Sequence, residues 1–366
     1  MNCSVNKIES NIRVFKDLYP GPAGVGNRYP LIKNTDWTSS FWPGMLFLAW
    51  EHTGNDLYRR AGEARVADFR ERLDRRIETG THDLGFLYTL SCVAPWRLFG
   101  NATARETAIM AADMLLLRRH EKAGVIQAWG DLNDPRQRGR VIIDCAMNLP
   151  LLYWAGEETG EPRYREVAVK HINIANAFLI REDWSTFHTY FFDADTGSPI
   201  RGNTAQGYSD ASCWARGQAW GIYGNALSYR YLRDPALLEI ARGLARYFLN
   251  RLPEDLVAYW DLIFLQVSEE RDSSAAAIAV CGLLELSDGL DAKDPDKEAF
   301  KNAAQHIAAS LAASYTTRES LESTGLLLHG VYSKPDKKGV DECAIFGDYF
   351  YMECLTRLCR VWEPYW

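Results

Sequence analysis

The sequence predicts an all-α fold, an (α/α)6 barrel in which six outer helices surround six inner ones. Helical periodicity runs through almost all of the 366 residues, and strand-like alternation is scarce. Charged amphipathic helices alternate with helices that are rich in Gly, Ala, Ser and aromatic residues but poor in charge. Short Gly, Asn, Asp or Pro signals mark where one helix ends and the next begins.

The outer helices are the amphipathic ones, because a helix with one apolar face covers a core. They are predicted at 4–18, 56–74, 102–119, 162–181, 235–252 and 294–315. Helices that are apolar all round are expected to be buried. These inner helices are predicted at 39–53, 83–99, 144–157, 212–232, 273–288 and 341–362.

Repeated helical hairpins stack either into an open superhelical solenoid or into a closed ring. The last inner helix carries little charge, whereas a solenoid end needs a polar cap, so one closed domain over 1–366 is favoured. In a closed barrel all inner helices begin at one end, which we call the mouth. The long connections belong to this end: 75–82, 120–143, 182–211, 253–272 and 316–340. Long loops and six helix N-termini predict a ligand site there and favour an anionic ligand.

Composition and motifs exclude several classes of function. The 41 Lys and Arg residues are scattered among 48 Asp and Glu, so no nucleic-acid partner is expected. No membrane span or signal peptide is predicted, and most of the 8 Cys lie in apolar helical runs, as in reduced proteins. Common metal, nucleotide and serine-nucleophile motifs are missing. We therefore expect a cytoplasmic monomer or homodimer that needs no metal or cofactor.

Two carboxylates are the candidate catalytic residues. Asp83 and Asp144 begin the second and third inner helices and therefore face the mouth. Each could instead be a helix N-cap. The apolar run 141–143 precedes Asp144 and predicts partial desolvation, which raises a carboxyl pKa and suits a general acid. A second carboxylate nearby would raise that pKa further.

Arg216 and several aromatic residues are candidate ligand contacts. Arg216 lies in a stretch of the fourth inner helix that is almost free of charge. It needs a carboxylate partner, either inside the protein or on a ligand. The chain also has 12 Trp, 18 Tyr and 15 Phe, and several of these rings are predicted near the mouth. Any one of them could belong to the core, but their number favours a cleft that stacks on sugars.

At these residues the sequence resembles glycoside hydrolase family 88, the unsaturated glucuronyl hydrolases. The resemblance covers essentially the whole chain. It rests on five motifs that occur together and in order: His82-Asp-Leu-Gly-Phe86, Asp144-x-x-Met-Asn-Leu-Pro-Leu-Leu152, Trp214-Ala-Arg-Gly-Gln-Ala-Trp220, Asp272-Ser-Ser-Ala-Ala276 and His329-Gly-Val-Tyr332. This family has an (α/α)6 barrel, in agreement with the helix pattern.

The resemblance implies a hydrolase that hydrates a vinyl ether. Its substrates would be lyase-generated glycosaminoglycan-type oligosaccharides whose non-reducing-end glucuronate has a C4=C5 double bond. By similarity Asp144 is the general acid and base, while Asp83 holds ring hydroxyls and keeps its partner protonated. The resemblance also implies substrate contacts of two kinds. Aromatic walls would be Trp42, Trp129, Trp220 and Tyr332, and polar contacts would be His82, His188, Gln206 and Arg216.

The loop after Tyr332 bears on substrate choice. Family members that favour sulphated substrates carry a Ser…Ser-x-Lys pattern there, whereas this chain reads Ser333-Lys-Pro-Asp-Lys-Lys338. Asp336 would repel a sulphate, but the neighbouring lysines would attract one. An unsulphated or mixed preference is predicted, with Ser333 and Lys338 as further contacts.

Three other functions stay open at this point. A related unsaturated rhamnogalacturonyl hydrolase would use the same barrel and chemistry on pectin fragments. An inverting hydrolase would cleave saturated glycans with a separate acid and base. A glycan-binding toroid would have no activity.

Overall fold

Twelve helices alternate along the chain in the computed structural model, which describes residues 1–366. We number them in chain order, so that odd numbers are outer helices and even numbers are inner ones. The outer helices are α1 (Asn2–Phe15), α3 (Asp56–Glu63 and Val66–Asp74), α5 (Ala102–Leu116), α7 (Pro162–Leu179), α9 (Pro235–Leu249) and α11 (Pro295–Ser314). The inner helices are α2 (Phe41–Thr53), α4 (Leu84–Tyr88, Thr89–Val93 and Ala94–Phe99), α6 (Cys145–Asn148 and Pro150–Thr159), α8 (Ala215–Leu232), α10 (Ser273–Gly289) and α12 (Ile345–Cys359). The predicted (α/α)6 barrel is confirmed.

The two kinds of helix differ in burial as their sequences predict. Every residue of α10 from Ser273 to Ser287 is buried, and so is every residue of α8 from Ala215 to Ser228. The outer helix α9 buries one apolar face and exposes Glu239 and Arg246 on the other. The inner ring therefore supplies most of the core, and one hydrophobic cluster extends from Val5 to Trp366.

The ring closes because α12 packs against α2. The two helices approach so closely that a β-carbon at Gly44 would lie 2.8 Å from Cε2 of Tyr349. Any side chain at this position would force the helices apart. The closed barrel, and not the solenoid, is the observed architecture.

Tight turns join each inner helix to the next outer one. Asn55, Asn101, Asp234 and Asp294 each accept a hydrogen bond from a backbone N–H in the first turn of the following helix. Each bond satisfies a donor that the helix start would leave unpaired. The short turns lie at one end of the barrel and leave the long connections at the mouth.

Nine short strands lie in the long connections of the mouth, and the sequence did not predict them. They are β1 (Tyr19–Pro20), β2 (Leu31–Ile32), β3 (Arg119–His120), β4 (Val125–Ile126), β5 (Arg140–Ile142), β6 (Thr189–Phe192), β7 (Pro199–Asn203), β8 (Gly330–Ser333) and β9 (Lys338–Glu342). All pair as antiparallel sheets, of which β5-β6-β7 is the largest. Five of them have only two or three residues, too few for alternation to be recognised, and the four longer ones do not alternate strictly between apolar and polar residues. Pairing of β5 with β6 places Asp144 near His188, since the Ile143 N–H donates to the His188 carbonyl at 3.0 Å.

The cysteines are free, and six of the eight are buried. Burial raises the pKa of the Cys92 thiol to about 12, so this side chain stays protonated and unreactive. No helix has both the length and the apolar character that crossing a membrane requires.

Candidate active site

A cavity of about 890 Å³ opens in the mouth. Side chains from the connections 16–40, 75–83, 117–144, 180–214 and 315–344 line it, together with Arg72 of α3 and Arg216 of α8. Seven of the predicted site residues are among them: Asp83, Trp129, Asp144, His188, Gln206, Arg216 and Tyr332. The cavity therefore lies at the end of the barrel where the sequence predicts a ligand site.

Close packing of α4 against α6 brings the two candidate acids together. A β-carbon at Gly85 would lie 2.4 Å from the Cα of Asn148, so only glycine fits where the helices meet. The Phe86 N–H donates to Asn148 Oδ1 at 2.8 Å. Asn148 Nδ2 lies 3.4 Å from Asp83 Oδ1 and 3.3 Å from the backbone oxygen of Asp144. One side chain of α6 thus links the starts of both helices.

Neither aspartate caps its helix, although both occupy the N-cap position. Their side chains accept no hydrogen bond from the backbone of α4 or α6. Thr81 Oγ1 donates to Asp83 Oδ2 at 2.7 Å. Asp144 Oδ2 is buried and has no hydrogen-bond partner. Helix capping therefore does not explain why carboxyls occur at these two positions.

Burial raises the pKa values of both carboxyls. It raises the pKa of Asp144 to about 7, and the nearby charge of Asp83 adds to this rise. Burial also raises the pKa of Asp83, to about 6, although hydrogen bonds from Thr81 and Asn148 oppose the rise. The rise is larger for Asp144, so Asp144 is the carboxyl that keeps its proton and Asp83 is the one that ionises first. This arrangement suits one acid and one negatively charged partner.

Arg216 has an internal carboxylate partner, which its sequence context left open. Its Nη1 lies 3.0 Å from Oδ2 of the fully buried Asp272. Its Nη2 donates to the backbone oxygen of Tyr332 at 2.6 Å and to Gln206 Oε1 at 3.3 Å. Because Arg216 also lines the cavity, these contacts fix a cationic group in its wall. The charge of Arg216 lowers the pKa of the neighbouring Asp144.

His188 is held as a neutral hydrogen-bond donor. Its Nδ1 accepts from the backbone N–H groups of Ala205 at 2.8 Å and Gln206 at 3.2 Å. The ring proton is therefore on Nε2. Burial, followed by the charge of Arg216, lowers the pKa of His188 to about 3, so the ring stays uncharged. The Nε2–H group has no acceptor in the protein and is left for a ligand.

Four aromatic side chains line the cavity: Trp37, Trp129, Trp214 and Tyr332. Trp37 Nε1 donates to Tyr332 Oη at 3.1 Å, which fixes both rings. The Arg140 guanidinium lies 4.5 Å from the centre of the Trp129 ring. Flat, fixed rings in a concave site suit the apolar faces of a sugar.

Trp42 and Trp220 do not line the cavity, so the structure gives no support to their predicted role as aromatic walls. Their exposed fractions are 1% and 0%. The ring of Trp42 packs 4.8 Å from that of Phe15, and the ring of Trp220 packs 5.2 Å from that of Phe350. On a helix that is apolar all round, the sequence does not distinguish a ring facing the core from one facing the cavity. Trp37, in the connection before α2, lines the cavity where Trp42 was predicted to.

Three predicted polar contacts also lie outside the lining: His82, Ser333 and Lys338. His82 is buried with Nε2 3.4 Å from Asp83 Oδ1. Ser333 Oγ donates to Asp336 Oδ2 at 2.7 Å. Lys338 Nζ lies 4.6 Å from the centre of the Tyr332 ring. All three contact lining residues and do not themselves line the cavity, so their role as direct substrate contacts stays a prediction.

The sequence reasoning missed several lining residues, among them Trp37, Arg72, Arg118 and Trp214. Arg72 lies near the end of α3 and Arg118 just after the end of α5, where charged residues are usually exposed. Their position at the mouth end of α3 and α5, just before long connections, is the signal that could have found them. Trp214 lies within a recognised motif, immediately before α8.

The fold and the site define a class of protein. A helical barrel with an aromatic-walled cavity, and a protonated acid beside a carboxylate inside it, is the arrangement of a glycoside hydrolase.

Comparison with known proteins identifies the family. Residues 26–355 match Glycosyl Hydrolase Family 88. The chain is 47% identical to the unsaturated chondroitin disaccharide hydrolase of Streptococcus pyogenes serotype M1, over 100% of this chain and 92% of that protein. It is 48% identical to the unsaturated glucuronyl hydrolase of Bacillus sp. strain GL1, over 97% of this chain and 95% of that protein. The crystal structure of unsaturated glucuronyl hydrolase from Streptococcus agalactiae has a TM-score of 0.97 at 47% identity, covering 100% of this chain and 92% of that one. The chain belongs to Glycosyl Hydrolase Family 88.

Proposed function

We propose that this hydrolase removes the unsaturated C4=C5 glucuronate from the non-reducing end of lyase-generated glycosaminoglycan-type oligosaccharides. It does so by adding water across the double bond. The observation that carries the proposal is the buried Asp144 carboxyl, which has no protein partner at Oδ2 and holds a proton near neutral pH beside Asp83. The names of the relatives, unsaturated glucuronyl and chondroitin disaccharide hydrolases, support it.

The reaction needs one group that gives a proton and takes one back. Asp144 donates its proton to C4, and the ring oxygen stabilises the positive charge that develops at C5. Water then attacks C5 and returns a proton to the Asp144 carboxylate, which restores the acid. The hemiketal at C5 opens to a ketone, and C1 becomes a hemiacetal that releases the shortened sugar. The net change is the addition of one water molecule.

The remaining lining residues orient the sugar. Asp83, as a carboxylate, accepts hydrogen bonds from ring hydroxyls and keeps Asp144 protonated by repulsion. Arg216 binds the uronate carboxylate, and His188 donates from Nε2. The rings of Trp37, Trp129 and Tyr332 are the stacking walls.

The loop 333–338 supports an unsulphated or mixed substrate preference. Asp336 lines the cavity and carries a charge that repels sulphate. Lys334 is ion-paired with Glu269 and Glu270, so its charge is already neutralised. Lys338 is exposed and lies against Tyr332, outside the lining.

The experiment that tests the proposal measures ultraviolet absorbance of the C4=C5 bond during incubation with lyase-made disaccharides. The panel contains unsulphated and sulphated chondroitin, hyaluronan, heparin-derived and pectin-derived products. Loss of absorbance is expected, fastest with an unsulphated glucuronyl substrate. Preference for the pectin product would favour the rhamnogalacturonyl reaction. Unchanged absorbance throughout, with cleavage of saturated glycans by the same folded protein, would favour an inverting hydrolase.

A narrow bell-shaped pH profile is expected for kcat/KM. The reactive form has Asp83 ionised and Asp144 protonated, and the two pKa values lie near 6 and 7. Activity should therefore fall below about pH 6, as Asp83 gains a proton, and above about pH 7, as Asp144 loses one. Because the two carboxyls interact, the acidic and basic limbs of the profile give apparent pKa values of the pair and not of either residue alone. A rate that is flat from pH 5 to 8 would contradict this assignment.

Alanine substitutions of Trp37 and Trp42 should distinguish a residue of the cavity wall, which affects KM, from a residue of the core, which affects stability. Trp37→Ala removes a cavity wall and is expected to raise KM about tenfold, with a smaller loss of stability than Trp42→Ala because Trp37 is only partly buried. Trp42→Ala leaves a void in the core and should lower the free energy of unfolding by about 3–5 kcal/mol, with KM unchanged. Steady-state kinetics and urea unfolding of both variants measure these effects. A raised KM in Trp42→Ala alone would restore the original assignment.

We further propose that the chain acts as a single catalytic domain, as a monomer or homodimer in the cytoplasm. The hydrophobic cluster that extends from Val5 to Trp366 supports a single domain. Buried free thiols fit a reducing compartment. The substrate is an oligosaccharide, and no nucleic-acid or membrane partner is required.

A further inference from the structure

Two arginines that line the cavity are buried without a carboxylate partner. Arg72 is 1% exposed and Arg118 is 6% exposed. No carboxylate oxygen lies within ion-pair distance of either guanidinium, whereas Arg216 in the same cavity is paired with Asp272. Burying a charge is costly unless something compensates for it. Their position beside the two acids suggests what their charges do.

The hydrogen bonds of both arginines go to neutral oxygens. Arg118 donates from Nε to the Gln127 carbonyl and from Nη2 to the Gly130 carbonyl, both at 3.0 Å. Its Nη1 has no hydrogen bond in the protein. Arg72 donates to Asn34 Oδ1 at 2.8 Å and to three backbone carbonyls. These bonds fix the positions of the guanidinium groups without neutralising their charges.

The segment that Arg118 fixes is the one that holds Asp83. Residues 127–130 run beside 81–82, where Thr81 bridges to Trp129 and the His82 N–H donates to the Ala128 carbonyl at 2.6 Å. A β-carbon at Gly80 would lie 3.8 Å from Arg118 Nη1, which places this nitrogen against the chain leading to Asp83. Arg118 is therefore hydrogen-bonded to the segment 127–130, which pairs with residues 81–82 immediately before Asp83.

Other groups also face Asp83, from every element packed against it. They are Thr81 and His82 before α4, Asn148 and Asp144 of α6, Arg72 of α3, Arg118 after α5, and Tyr332 of β8. Burial lowers the pKa of His82 to about 3, so this ring is neutral. Asp144 is protonated in the reactive form. Arg118 and Arg72 are therefore the cationic groups of this set.

We propose that Arg118, assisted by Arg72, is a positioning residue whose buried charge keeps Asp83 ionised while Asp144 holds the catalytic proton. The inference rests on the proposed function, because it explains how two adjacent carboxyls acquire different roles. Burial favours the protonated form of both carboxyls, and at Asp83 the hydrogen bonds from Thr81 and Asn148 oppose it first, with the charges of Arg118 and Arg72 acting in the same direction. The Coulombic effect of both arginines on Asp83 has this sign, and that of Arg118 is the larger.

The test is the pH dependence of kcat/KM for two substitutions at position 118, measured by loss of C4=C5 absorbance. Arg118→Gln removes the charge and should shift the acidic limb upward by about one pH unit. Arg118→Lys keeps the charge but loses the paired hydrogen bonds, so it should lower the rate with the limb near the wild-type position. Arg72→Gln should shift the limb in the same direction by less. Arg181→Gln is the matched control, because Arg181 also donates to backbone carbonyls but lies outside the cavity, and its limb should not move.

The outcomes separate this inference from the proposed function. An unmoved acidic limb in folded, active Arg118→Gln would overturn it, and so would an equal shift in Arg118→Lys. If Arg118→Gln does not fold, Arg72→Gln applies the same test, and an unmoved limb there would overturn the inference. A wild-type protein that consumes no unsaturated substrate would instead contradict the proposed function itself.

Discussion

Asp144→Asn is expected to lower kcat on unsaturated disaccharides by a factor of about 10³ or more, within the range for removing a general acid. Asparagine has nearly the same shape as aspartic acid but has no proton to give to C4 and cannot take one from water. Because burial raises the pKa of Asp144 to about 7 and its reactive form is protonated, the substitution exchanges one neutral group for another. Folding and substrate affinity should therefore be retained. Absorbance assays measure turnover, and tryptophan fluorescence measures binding next to Trp37 and Trp129.

A matched control is available in Asp348. This aspartate is also buried, and burial raises its pKa to about 7, but it lies away from the cavity. It accepts from Tyr29 Oη at 2.7 Å and from the Leu327 N–H at 2.9 Å. Asp348→Asn should lower stability and leave the turnover of the folded protein near the wild-type value. If Asp144→Asn retained turnover, Asp144 would be excluded as the acid, whatever the turnover of Asp348→Asn.

The barrel could be predicted from the sequence because its signals are local and repeated. Asn55, Asn101, Asp234 and Asp294 mark the helix starts by their capping chemistry, and these caps are observed. The contrast between buried and one-faced helices then gives the inner and outer rings. The mouth sheets were missed because strands such as Arg119–His120 depend on pairing between loops, which local propensity does not encode.

The site was predicted in part, for a related reason. Asp83 and Asp144 could be found because they begin inner helices, a position that fixes where they point. Trp42 was predicted at the cavity but lies in the core, because the side of a buried helix that faces the cavity depends on the packing of its neighbours. Arg118 was missed because its burial results from contacts with Gln127 and Gly130, in a loop whose path the sequence does not reveal.

Arg216→Ala is expected to affect both binding and stability. If Arg216 binds the uronate carboxylate, its loss should raise KM about 100-fold, equivalent to about 2.7 kcal/mol. Its loss also leaves the fully buried Asp272 without its cation, which should lower the free energy of unfolding by about 3–5 kcal/mol. Steady-state kinetics and urea unfolding measure the two effects separately. The single variant alone, however, does not show whether the rise in KM comes from lost contact or from a disturbed cavity.

The double variant Arg216→Met with Asp272→Asn separates the two causes. Methionine fills similar space without charge, and asparagine keeps an oxygen for the Ser274 N–H, which Asp272 Oδ1 accepts at 3.1 Å to cap α10. Since no unpaired charge stays buried, part of the lost stability should return. KM should stay high, because no cation faces the uronate. A KM that recovers together with stability would mean that the Arg216–Asp272 pair only supports the wall. In that case the substrate carboxylate must be bound by another donor of the cavity, such as Nε2–H of His188 or the free Nη1 of Arg118.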